Sequence, residues 1–89
     1  MLVLPAELTH AEATACVRML AQALRSDSGV QAIVDASTLR SFDSSALAVL
    51  LECRREALTL GKTFAIANPQ PRLQALATLY GVGELLPAA

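Results

Sequence analysis

Apolar residues follow two alternating rhythms along this chain: short unbroken runs, and stripes spaced by three and four. Leu2-Val3-Leu4, closed by Pro5, has the make-up of a brief strand. Thr9 followed by Glu12 has capping-box spacing, and Leu8 stands where a hydrophobic staple would, so a helix is expected to begin near His10. Ala13, Cys16, Val17, Leu20 and Leu24 then trace one apolar stripe, and the helix is expected to stop between Arg25 and Ser28, before Gly29. Val30–Val34 is a run closing on Asp35 that suits a strand buried on both faces. Ala36–Phe42 reads as a connection. Asp43 is a good N-cap for a second helix over Ser44–Leu60, and Gly61 is placed to end it in the left-handed conformation. Phe64–Ala67 reads as a third strand. Pro69 and Pro71 then introduce a last helix whose Leu73, Leu76, Ala77 and Tyr80 share a face, ending at Gly81. Leu85-Leu86 fits either an edge strand or simple packing.

Strand, helix, strand, helix, strand, helix is the order of an α/β fold with a parallel-rich sheet and right-handed crossovers. In such folds sites form at the carboxyl ends of the strands, here the Asp35–Asp43 loop and the turn after Ala67. No internal repeat or linker divides the 89 residues, so one domain over 1–89 is expected. Composition agrees: 54% of the residues are hydrophobic, and at this length there is room for a single core.

Charge narrows the function. Seven basic and eight acidic residues give a net charge of −1 with no basic patch, and the aromatics Phe42, Phe64 and Tyr80 are dispersed, so nucleic acid is not an expected partner. The longest apolar run, Ala46–Leu51, is far short of a membrane span, and Met1–Leu4 lacks the features of a signal peptide. A cytoplasmic location is the expectation. Cys16 and Cys53 have no neighbouring ligands in sequence and read as reduced, buried thiols, so neither metal nor cofactor is expected.

Asp43-Ser44-Ser45 is the one constellation that carries chemistry. It stands at a helix N-terminus, whose free amides and dipole favour negative charge, so a phosphate on Ser44 would be welcome there. The same residues also have a purely structural account, with Asp43 as the cap. No base near in sequence would activate Ser44 as a nucleophile, because His10 opens a different helix. Projected at about 100° per residue, Ala46, Leu47, Leu50, Leu51, Cys53, Ala57 and Leu58 fall on the face expected against the sheet. Ser45, Ala48, Val49, Glu52, Arg55 and Glu56 fall opposite. That outer face admits two readings, a docking stripe or an ordinary helix surface in which Ala is only a good helix former.

With these residues in view, the sequence resembles the STAS family, the domain of anti-sigma factor antagonists and sulfate transporter tails. Val34-Asp35-Ala36-Ser37 looks like the family's strand-end pattern, and Phe42-Asp43-Ser44-Ser45-Ala46-Leu47-Ala48 resembles its Asp-Ser-Ser-Gly-Leu-Gly segment. Gly61-Lys62, Asn68-Pro69 and Leu79-Tyr80-Gly81 resemble later landmarks. The resemblance implies a STAS-like fold, a mixed, parallel-rich sheet of about four strands packed with three main helices. Among the members, the small MlaB-type subunits of Mla phospholipid ABC transporters are most similar. That likeness implies a non-enzymatic cytoplasmic module held at the inner membrane by an MlaF-like ATPase and, through it, the permease. It also implies that Ser44, Asp43, Ser45, Ala48, Glu52 and Arg55 form the partner-binding surface. The alternative it implies is an anti-sigma factor antagonist that binds a kinase-type anti-sigma factor and is phosphorylated on Ser44.

Two departures stand out. Ala46 and Ala48 occupy positions where the regulators carry glycine. The family also usually has two strands before its first helix, where this chain has room for one. Three explanations follow: a partner on the exposed sheet edge, a homodimer mate there, or a start that omits residues.

Overall fold

A computed structural model describes all 89 residues. Its elements are β1 (Leu2–Val3), β2 (Glu7–Leu8), α1 (His10–Ser26), β3 (Gln31–Asp35), β4 (Ser41–Phe42), α2 (Ser45–Thr59), β5 (Thr63–Ala67) and α3 (Pro71–Leu79). A 3-10 turn at Gly83–Leu85 follows. The strands form two sheets, β1-β3-β5 and β2-β4, and every pairing is parallel. The α/β, parallel-rich architecture expected from the sequence is the one observed.

Local chemistry explains where the helices start and stop. The Glu12 carboxylate accepts from the Thr9 amide (2.9 Å) and the Thr9 hydroxyl (2.8 Å), closing the box that opens α1, with Leu8 fully buried beneath it. At the far end of α2, Gly61 takes φ 75°, which lets the Lys62 amide reach the Ala57 carbonyl (2.9 Å) and the Gly61 amide reach Leu58 (3.0 Å). Gly81, at φ 71°, ends α3 with the same pair of bonds, Val82 to Ala77 and Gly81 to Thr78, both 3.0 Å. Both are Schellman endings, and a side chain at either glycine would be strained.

The crossovers β1-α1-β3 and β3-α2-β5 run in the same direction along the sheet, so right-handedness sends α1 and α2 to the same face. There they pack against each other, and Cys16, Leu20 and Leu24 meet Leu47, Val49, Leu50 and Cys53 in one core. An Arg25–Glu56 ion pair of 2.9 Å ties the same two helices at their outer rim.

Several details differ from the sequence expectations. Two strands, not one, precede α1: β2 pairs with β4 in a small sheet of its own, Glu7 beside Ser41 and Leu8 beside Phe42. Pro5 interrupts the leading run, and the segment resumes pairing two residues later, against what reads in sequence as connection. Strand β3 is not buried on both faces; it alternates, with Ala32 and Val34 inward and Ile33 and Asp35 half-covered, while Val30, 81% exposed, lies outside it. Leu85-Leu86 forms no strand. The edge of β5 is instead met at Ala88, through Ile66 amide to Pro87 carbonyl and Ala89 amide to Ile66 carbonyl, each 2.8 Å. Tyr80 leaves the apolar face of α3 and is 57% exposed, because the chain turns at Gly81 before that residue can face inward.

Helix α2 is rotated from its expected setting. Val49, assigned to the outer face, is 1% exposed, whereas Leu58, assigned to the core, is about half exposed and Leu51 only partly buried. The helix has two apolar neighbours, the sheet and α1, and its buried face turns toward their junction.

Lys62 is the one buried polar or charged side chain, 7% exposed. Its ammonium donates to the Asp27 carbonyl (2.7 Å) and to the Gly29 carbonyl. It thereby satisfies the loop after α1, which has no glycine ending of its own.

Candidate functional site

The site lies at the carboxyl end of the sheets, where β4 runs into α2. Asp43 follows the Leu8–Phe42 pairing directly, so its position is set by the small parallel sheet. One carboxylate oxygen accepts from the Ser45 amide (2.8 Å) and the other from the His10 amide (3.3 Å), so a single side chain holds the first turns of α2 and α1 together. These amides, Ser45 first, hold the Asp43 carboxyl below the ordinary aspartate value of 3.8, with the His10 charge adding a smaller effect. His10, assigned in the sequence to a separate helix, is thus a neighbour of this site through its backbone.

Ser44 follows with helical dihedrals (φ −62°, ψ −16°). Its carbonyl enters the helix ladder at Leu47 and Ala48, whereas its side chain is exposed and its hydroxyl bonds to no group of the chain. Ser45 is half-buried. Ala48, Glu52 and Arg55 continue from Ser44 at intervals of four, four and three along the exposed side of α2, and Arg55 stands 3.7 Å from Glu52. The six residues singled out in the sequence are therefore contiguous. Of the expected outer stripe, Val49 is buried and Glu56 is drawn to Arg25 of α1.

The structure adds residues that the linear reading lacked. Ala48 and Glu52 form one wall of a groove whose other wall is Ala13, Thr14, Val17 and Arg18 of α1, with Val49 between them. On the other side of Ser44, Arg72 and Leu76 of α3 and Tyr80 at its C-terminal cap join Phe42, Asp43 and Ser44 around a shallow hollow. Arg72 lies over the Phe42 ring at 4.4 Å and donates to the Phe42 carbonyl (3.2 Å). Of the first wall, only Ala13 and Val17 stand on the apolar stripe read from the sequence of α1; Arg72 carries no local signal.

A second polar knot braces the neighbouring loop. The Asp35 carboxylate accepts from the Ser37 amide (2.9 Å) and the Asn68 side-chain amide (3.1 Å), and the Ser37 amide is the main reason its carboxyl lies below 3.8. Asn68 takes φ 55°, a left-handed conformation asparagine tolerates. Gln70 ties the start of α3 to the Ala36 (3.3 Å) and Leu39 carbonyls. Cys16 and Cys53 are buried and unpaired; burial raises both thiols, Cys53 to about 12, leaving little thiolate at neutral pH. No three His, Cys, Asp or Glu side chains converge as metal ligands, and no helix is long and apolar enough to cross a membrane.

What this arrangement offers is an exposed hydroxyl between an apolar groove and a hollow lined by Arg72 and Asp43, with helical amides behind it. Comparison with known proteins bears on this geometry. Residues 1–87 match the family model described as MlaB, STAS domain. No curated protein sequence matches the chain. Among solved structures, the chain is similar to the anti-sigma factor antagonist SpoIIAA in its unphosphorylated form. The TM-score is 0.75 with 22% identity, over 98% of this chain and 76% of that one, a likeness of fold.

Proposed function

The chain belongs to the MlaB-type STAS family of protein-interaction domains, and we propose that it is the non-enzymatic STAS subunit of an Mla-type phospholipid ABC transporter. In this reading its 89 residues act as one domain that docks in the cytoplasm on the MlaF-like ATPase. The ATPase associates it with the inner membrane, next to the permease. Docking supports the assembly and activity of a transporter that maintains outer-membrane lipid asymmetry.

The observation that carries this reading is the exposed, unengaged Ser44 hydroxyl at the head of the contiguous stripe Ala48, Glu52 and Arg55. Asp43 fixes that stripe by holding the first turn of α2, and small residues at 44, 45 and 48 let a partner backbone come close. The same features fit poorly with catalysis, because the polar groups around Ser44 are engaged in holding helices, and nothing is arranged to take its proton.

Co-expression of the chain with the Mla-type ATPase of its own organism tests the proposal. The ATPase is expected to copurify with wild type and with Ser44→Ala, and to be lost with Ser44→Glu, whose bulk and charge occupy the centre of the contact. Failure of the wild-type chain to retain the ATPase, or an intact complex with Ser44→Glu, contradicts this placement of the interface.

The likeness to SpoIIAA and the accessible hydroxyl also favour a second reading, an anti-sigma factor antagonist. Phosphorylation of Ser44 would add a charge of about −1.5 to −2 and repel a kinase-type anti-sigma factor. Intact-mass measurement of the protein from its native cells distinguishes the two, since a phosphorylated form in any growth phase supports the antagonist and its absence throughout supports the transporter subunit.

A further inference from the structure

We propose that the hollow beside Ser44 is a socket for a carboxylate side chain of the docked partner, with Arg72 as its receptor and Leu76 and Tyr80 as the wall for an adjacent apolar residue. The inference rests on the docking reading above and extends it from α2 to α3.

Arg72 is fixed before any partner arrives. Its guanidinium lies on the Phe42 ring at 4.4 Å and spends one donor on the Phe42 carbonyl at 3.2 Å. A guanidinium has five N–H donors in a rigid fork, and the others bond to nothing in this chain. Nor does it have an acidic partner: the two ion pairs of the molecule are Arg25–Glu56 and Arg55–Glu52. Asp43 lines the same hollow, yet both of its oxygens are turned to the amides of Ser45 and His10. The hollow therefore holds an oriented guanidinium with no ion-pair partner, alongside an Asp43 carboxylate whose oxygens are already engaged.

Its other walls decide what else the occupant carries. Tyr80 is 57% exposed and Leu76 half-buried, an amphipathic surface next to the free Ser44 hydroxyl. An arginine seated on an aromatic ring and an exposed tyrosine around a small depression are the residue types that dominate binding energy at protein interfaces. A planar carboxylate matches the fork, and the Ser44 hydroxyl can donate to the same group. Because Phe42 and its carbonyl already immobilise the arginine, little side-chain freedom remains to be lost on binding. The occupant is thus an Asp or Glu of the partner next to an apolar side chain.

The experiment measures the affinity of the full chain for the Mla-type ATPase with Arg72→Glu, Arg72→Lys, Tyr80→Ala and Ser44→Glu. Arg72→Glu is expected to weaken binding by at least about tenfold and Arg72→Lys by less, as charge is kept but the fork is lost. Tyr80→Ala, outside the core, is expected to weaken it too, and keeps the test open if charge reversal lowers stability. Affinity of the wild type should fall between about 50 and 300 mM salt more steeply than that of Arg72→Glu. Binding within about twofold of wild type for Arg72→Glu and Tyr80→Ala, with Ser44→Glu inactive, overturns the socket and leaves the docking reading standing. An ATPase that ignores the wild-type chain overturns both. An Arg72→Glu effect on self-association of the chain, with ATPase binding unchanged, also overturns it.

Discussion

A single carboxylate, Asp43, holds the amides of Ser45 and His10 and so keeps two helix starts in register beneath Ser44. Asp35 and Glu12 play comparable parts at the Ser37 and Thr9 amides, and all three carboxyls are held below their ordinary values, 3.8 for aspartate and 4.5 for glutamate. A depressed native value means that the unfolded chain takes up protons first as pH falls. The stability these groups contribute is complete above the ordinary values and is lost as pH drops through them toward the lower native ones. Thermal melts from pH 7 to pH 3 are expected to show a declining melting temperature below about pH 4.5, with a shallower decline in Asp43→Asn. A wild-type profile flat to pH 3 contradicts this role. Lys62 gives a second prediction at this scale. Lys62→Met leaves the Asp27 and Gly29 carbonyls without their donor and is expected to cost roughly 1–3 kcal/mol in urea denaturation. Cys53, pushed up to about 12, should resist thiol reagents until the chain unfolds.

At the scale of elements, long periodic segments and the leading apolar run are readable, whereas β2 and β4 are not. The stripe of α1, its capping box and the glycine endings of α2 and α3 were legible because each rests on contacts within a few residues. β2 and β4 are two residues each, too short for alternation to register, and they exist because parallel pairing at Leu8–Phe42 places them side by side. Helix α2 shows a different limit. An Ala- and Leu-rich helix has apolar groups over much of its circumference, so the sequence fixes its existence better than its rotation. The presence of α1 turned Val49 inward. The distinction is testable: Val49→Asp is expected to unfold the domain, and Ala48→Asp, one residue earlier on the exposed side, to leave the melting temperature nearly unchanged while weakening ATPase binding. Leu50→Ala, fully buried between the helices and the sheet, is expected to cost about 2–5 kcal/mol. In the site, Asp43 and Ser44 were visible as a cap and an exposed hydroxyl at one helix start. Arg72, Tyr80 and the α1 wall come from distant segments brought together only by the fold.

For the molecule as a whole, one core holds three helices and two small parallel sheets, and the features left over for function gather at one end. The groups around Ser44 hold two helix starts in place, and in the proposed function this end of the molecule is the one a partner recognises. Hydrogen exchange of the wild-type chain, alone and saturated with the Mla-type ATPase, tests that most directly. Slowed exchange is expected in peptides covering Asp43–Arg55, strongest in the first turn of α2 around Ser44. Unchanged exchange there in a saturated complex, or slowing confined to the opposite edge around Gly83–Ala89, would contradict it.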